Sequence, residues 1–183
     1  MNNERVRNLV MSWPHVRETL NWDCVFVYWA ADRAIGGKMF ALTDANGTGE
    51  NVLILPVDPE RFYELIEHED IEPASHMGKH NWIDLRRWDA LPWAETEQLL
   101  RAAYERKLAG LPPKTHAILS LPVREQNRII REQTKILAEK TAQAKAAKVA
   151  KREAAKAART CSKAKSAKTT AKKPTKKLTR RPS

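Results

Sequence analysis

The sequence predicts an α+β domain in which helices lie on one face of an antiparallel sheet, followed by an extended helix and a disordered basic tail. Three observations carry that prediction. Every Trp, Tyr and Phe lies before Ala109, so the core belongs to the N-terminal part. Short runs of β-branched and aromatic residues, CVFVYWA, KMFALTD and NVLILPV, are joined by turns dense in Gly, Asn and Asp, as in a meander. Segments with apolar residues at helical spacing flank and interrupt these runs, opened by Asn, Asp or Pro.

Taken in order, Val6, Leu9 and Val10 share one side of a helix over Glu4 to Met11, with Asn2 or Asn3 as its cap. Pro14 breaks it before a second short turn through Leu20. Cys24 to Ala30 reads as a strand, Gly36-Gly37 turns the chain into a second over Lys38 to Asp44, and Asp44 to Gly49 is a turn before a third over Asn51 to Val57. Asp58-Pro59 caps and opens a helix with Phe62, Leu65 and Ile66 inside, running to about His68. Pro73 and Gly78 exclude helix from Ile71 to Lys79, and NWIDLRRW alternates as a last strand, with Trp82 buried against the helix that follows. Pro92 opens that helix, which carries the stripe Leu99, Leu100, Ala103, Tyr104, Leu108 and Leu111 before Gly110 and Pro112-Pro113 end it. After Pro122 a further helix has only the narrow stripe Val123, Ile129, Ile130, Ile136 and Leu137, too weak for a coiled coil. It runs into a Lys-Ala tract of high helix propensity and strong self-repulsion, so fraying is expected after Lys140. The division expected is 1–116 for the domain, 117–139 for a protruding helix and 140–183 for the tail.

Charge is segregated along the chain. Residues 140–183 hold sixteen Lys and Arg against the single acid Glu153, a net +15, so within a total of +11 residues 1–139 carry −4. With no aromatic residue, and only Val149 and Leu178 as larger apolar ones, the tail cannot bury enough surface to offset the entropy of ordering it. It reads as a solvated polycation. Cys24 and Cys161 lie in unlike settings and form neither a disulfide framework nor a metal motif, which fits a reducing compartment. No apolar run approaches the ~20 residues of a membrane span, and the N-terminus lacks the apolar core of a secretory signal. A cytoplasmic location without membrane contact is expected.

Five segments, in this order, resemble the MmcQ/YjbR family of small bacterial proteins over residues 1 to about 116: Trp13-Pro14 with Glu18, GGKMFAL (Gly36 to Leu42), VLILPVDPE (Val52 to Glu60), IEPASHMGKHNWIDL (Ile71 to Leu85) and LLRAAYERKLAGLPPK (Leu99 to Lys114). The resemblance implies a fold like that of frataxin and its bacterial relative CyaY, and a DNA-binding role without agreed catalytic residues. The helix after Pro122 and the basic tail depart from that pattern.

The chemistry expected of the tail is polyanion binding, because each Lys or Arg near a nucleic-acid phosphate releases condensed counterions. The residues that would do this are Lys148, Lys151, Arg152, Lys156, Arg159, Lys163, Lys165, Lys168, Lys172, Lys173, Lys176, Lys177, Arg180 and Arg181. AKKPTKKLTRRPS resembles the Lys/Ala/Pro-rich tails of linker histones. Lack of aromatic residues argues against base stacking, so double-stranded DNA and a nucleoid location are the expectation. Within the domain Lys38, Lys79 and His80 are candidate phosphate contacts; the alternative reading is that Gly78 turns the chain, Trp82 fills core and the polar residues face water. Glu60, Glu64, Glu67, Glu69, Asp70 and Glu72, with His68, form an acidic ridge: a solvated helix face, or, by analogy with frataxin, a metal site. Cys24 lies in a strand rather than at a helix N-terminus, and no Gly-rich loop joins a strand to a helix, so neither catalysis nor a cofactor is expected. An RNA- or protein-binding adaptor and a frataxin-like metal-binding protein are the other classes open to this sequence.

Overall fold

The computed structural model describes residues 2–21, 24–45 and 52–169, the side chains of 149–169 excepted. Helix α1 (Asn3–Met11) is capped by the Asn2 side chain, which accepts from the Arg5 N–H, and it buries Val6 and Val10. The turn expected through Leu20 is instead a strand, β1 (Val16–Asn21). Its alternation is masked in the sequence by Glu18 among the core-facing positions, and pairing along the whole of β2 (Val25–Ala30) fixes it. Next come β3 (Lys38–Asp44), β4 (Leu53–Pro56) and α2 (Pro59–Leu65). The turn expected at Asp44 to Gly49 falls largely on 46–51, outside the described residues. Ile71–Pro73 adds the short strand β5, and β6 (Trp82–Leu85) precedes α3 (Trp93–Ala109), α4 (Pro113–Leu119) and α5 (Val123–Thr169).

The six strands form one open antiparallel sheet in the order β1-β2-β3-β4-β6-β5. Alternation gives it two apolar faces. One face packs Tyr28, Phe40, Leu53, Leu55, Ile83 and Leu85 against Val6 and Val10 of α1, Phe62 and Leu65 of α2, and Leu100, Ala103 and Tyr104 of α3. The opposite face gathers Val27, Leu42, Trp82 and Ala74, with Trp29, Met39, Ile54 and Met77 partly buried around them. Trp82 is therefore buried, but not against the stripe of α3. In β6 it is Ile83 and Leu85 that point to the helices, and the pleat sends Trp82 and Asp84 the other way.

A third apolar cluster moves the boundary expected at residue 116, which would cut α4. Ile118 joins Ala31, Ile35 and Leu111, with Leu119, Ile129 and Ile130 packed alongside. Thr115 Oγ1 donates to the Ile35 carbonyl at 2.5 Å, while Gln126 Nε2 donates to the Leu119 and Leu121 carbonyls at 2.9 and 2.7 Å. The compact unit thus spans Met1–Thr134, and a second begins at Lys135. Of the stripe expected in the last helix only Ile129 and Ile130 pack, while Val123, Ile136 and Leu137 are exposed, and the stripe did not show that the first turns complete the domain. Beyond Lys140, α5 continues to Thr169, in line with the helix propensity of its Ala and Lys.

Truncation of Ile118 to Ala is expected to cost about 2–4 kcal/mol, because it leaves a cavity between α4 and the turn holding Ile35. Denaturant unfolding measures this, and a loss below about 0.5 kcal/mol would place α4 outside the core. Trp82→Ala should cost about 3–5 kcal/mol by the same measurement.

Candidate nucleic-acid interface

The basic residues expected to meet phosphate fall in two places, and each has a different local origin. In the unit beginning at Lys135, Lys148 is exposed. The backbone is helical through Lys151, Arg152, Lys156, Arg159, Lys163, Lys165 and Lys168, while Lys172, Lys173, Lys176, Lys177, Arg180 and Arg181 lie outside the described residues. Lys145, Lys148, Arg152, Lys156, Arg159 and Lys163 recur every three or four residues. At 100° per residue, these positions fall within roughly a third of the helix circumference, with Ala at most positions between.

In the first unit, Lys79 and His80 occupy a 3₁₀ turn, Gly78–His80, and both are exposed. The turn is firmly held. Gly78 and Met77 N–H groups donate to the Ala74 carbonyl at 2.8 and 3.1 Å, Ala74 donates to Trp82 at 2.9 Å, and the Asn81 carbonyl accepts from Val57 at 2.8 Å. His76 and Asn81 bracket it at φ 63° and 56°, a left-handed conformation that Asn and His tolerate better than most residues. Gly78 allows close approach, since a Cβ there would lie 3.1 Å from Pro73 Cβ. Lys38 differs: at the start of β3 its ammonium donates to the Gly110 carbonyl, at the C-terminal end of α3. That bond satisfies an orphan helix carbonyl and gives Lys38 a structural task.

Sequence reasoning missed Lys107. It read α3 for its apolar stripe alone, whereas Lys107 places its ammonium 5.5 Å from the ring centre of Trp82. Arg33 lies similarly over Trp29, at 5.9 Å. A basic residue three positions before the helix-ending Gly110 was the available signal, because last-turn cations are drawn to helix termini.

The acidic ridge does not assemble. Glu64 pairs with Arg61 at 2.7 Å and Glu72 with Arg86 at 2.6 Å. Among the described residues no three His, Cys, Asp or Glu side chains come together as metal ligands would. A different acid stands out. Asp84 lies on the sheet face opposite the helices, is 5% exposed, and its Oδ1 has no hydrogen-bond partner among the described residues. Burial pushes its pKa up to about 7; Arg86 opposes this shift and Glu72 reinforces it.

A carboxyl raised in the folded state holds a proton that the unfolded chain has released, so stability should fall as pH rises from about 4 through 7. Asp84→Asn should flatten that part of the profile and stabilise the protein by about 1–3 kcal/mol at pH 8, with little effect near pH 4. Unfolding across pH checks this, and an unchanged slope would show Asp84 to be ionised throughout.

Comparison with known proteins agrees with the element order. No curated protein matches the chain. The crystal structure of Deinococcus radiodurans protein DR2400, a DUF419 domain, is similar, with a TM-score of 0.55 and 28% identity over 66% of this chain and 89% of that one. The YjbR family model matches residues 11–106, a span that takes in all six strands and most of α3. By that match over more than half its length, the chain belongs to the YjbR family.

Proposed function

We propose that this is a non-enzymatic DNA-binding protein, nucleoid-associated in the cytoplasm, which holds duplex DNA mainly through phosphate contacts of residues 140–183. The observation that carries the reading is the segregation of charge, +15 on that segment against −4 on residues 1–139. A helix-spaced row of cations follows one groove edge without needing to read bases, and the segment has no aromatic residue on which a single strand could stack. Among the described residues no helix is long and apolar enough to cross a membrane. YjbR membership leaves the segment's role open, because the matched span ends at residue 106.

Affinity for a duplex should fall steeply with salt, with log K against log salt sloping about −0.9 per phosphate engaged. Six contacts would weaken binding by ~10³ between 50 and 200 mM. Removing residues 140–183 should abolish most duplex binding and flatten the slope. Fluorescence anisotropy with full-length and shortened chains decides the matter: equal affinity for both refutes the reading, and a preference for RNA of equal length at equal ionic strength would redirect it to RNA.

A further inference from the structure

Within the unit Met1–Thr134, a cavity of about 100 Å³ is lined by Ala34, Ile35, Lys114, Ile118, Ile129 and Gln133. The 3₁₀ turn Arg33–Ile35 forms one wall, and α4 and the first turns of α5 form the rest. Four of the six lining residues follow residue 106, where the family match ends, so the cavity is built largely by what this chain adds beyond the matched span. Its walls are fixed in place. The Ala34 N–H donates to Asp32 Oδ1 at 2.8 Å, and Thr115 Oγ1 ties the Ile35 carbonyl to α4. Ala31, just before the turn, holds φ 64°, a left-handed conformation unusual for Ala, and its N–H donates to the His15 carbonyl at 3.0 Å. Side-chain hydrogen bonds along α4 and the start of α5 come from Thr115, Ser120, Gln126, Arg128 and Thr134. Among the described residues Lys114 and Gln133 make none, and Lys114 joins no ion pair.

We propose that this cavity binds a short-chain aliphatic monocarboxylate, with its hydrocarbon chain among Ala34, Ile35, Ile118 and Ile129 and its carboxylate at Lys114 and Gln133. Size sets the chain length. A cavity of about 150 Å³ takes the six carbons of benzene, so this one takes roughly four apolar heavy atoms. Charge sets the head group: the lining holds one cation and no acid, and the Gln133 amide supplies a second donor. Lys114 is exposed and Gln133 half-buried, so the carboxylate stays in touch with water and avoids the cost of full desolvation. Water alone suits the inner part poorly, because a trapped water needs about two to four polar partners and the other four lining residues are apolar. The site is independent of residues 140–183 and does not rest on the DNA-binding reading.

The test uses the full chain with its isoleucine δ1-methyl groups labelled for NMR, Ile118→Val and Ile129→Val identifying the two signals that matter. Pentanoate replacing chloride at constant ionic strength should move the Ile118 and Ile129 methyl signals saturably and leave Ile66 and Ile136 unmoved. Lys114→Gln should weaken pentanoate by about fivefold, the worth of an ion pair at a water-exposed mouth, and bring it to the affinity of 1-pentanol. Ala34→Leu should abolish the shifts by filling the space. Because Lys114 is exposed, Lys114→Gln leaves the fold intact and keeps the test decisive even where Ala34→Leu destabilises the chain. Signals that ignore pentanoate, equal affinity for pentanoate and 1-pentanol in the unaltered chain, or equal pentanoate affinity in Lys114→Gln each overturn the proposal. Duplex affinity enters none of these readouts, so failure here is distinct from failure of the tail.

Discussion

Phe40 and Tyr104 meet edge to face with their ring centres 5.6 Å apart, and Trp13 closes the group at 5.1 Å from Tyr104 and 6.2 Å from Phe40. These rings come from β3, from α3 and from the link between α1 and β1. The Tyr104 hydroxyl donates to the Pro14 carbonyl at 2.7 Å, so the phenol spans 90 residues of sequence with one buried contact and one polar one. Once α3 is clamped there, its apolar side must lie on the sheet, and its last turn must reach the start of β3 where Lys38 waits. The bond from Lys38 to the Gly110 carbonyl is a by-product of where the aromatic group pins the helix.

Strong local signals were legible in the sequence and weak ones were not. β2, β3 and β4 are written in β-branched and aromatic residues, and the Asp58-Pro59 start of α2 is a cap with its own chemistry. β1 was missed because VRETLN has almost no local preference; it is a strand because β2 offers a full partner edge. β5 was missed for its three-residue length, and Pro73 ends it where a ladder hydrogen bond would otherwise be required. α4 lay hidden behind Pro112-Pro113, which the sequence reading took only as the end of α3 although Pro113 opens the next helix.

The candidate interface was half legible for a different reason. Net charge is a sum over residues and survives ignorance of the fold, so the segregation of +15 from −4 needed no coordinates. Pairing does not survive it. That Lys38 is tied to Gly110, that Lys107 lies on Trp82, and that Asp84 lies buried beside the Arg86–Glu72 pair depend on register and crossover. Trp82 shows the limit clearly: its burial followed from its type, but its face followed from the parity of β6.

Parity has one more effect, seated in the irregularity of β3. Tyr28 pairs with Ala41 and Trp29 with Met39, so Phe40 is an extra residue in the ladder and shares the helix side with Ala41. That single inserted step reverses the phase of everything before it, turning Lys38 toward α3 and Met39 away. Substitutions around Phe40 would be judged by size, but a deletion of one residue between Lys38 and Ala41 would remove the extra step and leave a single position opposite Trp29, facing away from the helices. Phe40 would leave the aromatic group, while Lys38 would keep Ala30 as its partner and its side of the sheet. In this short stretch the length of the chain therefore constrains the aromatic group more strictly than residue identity does.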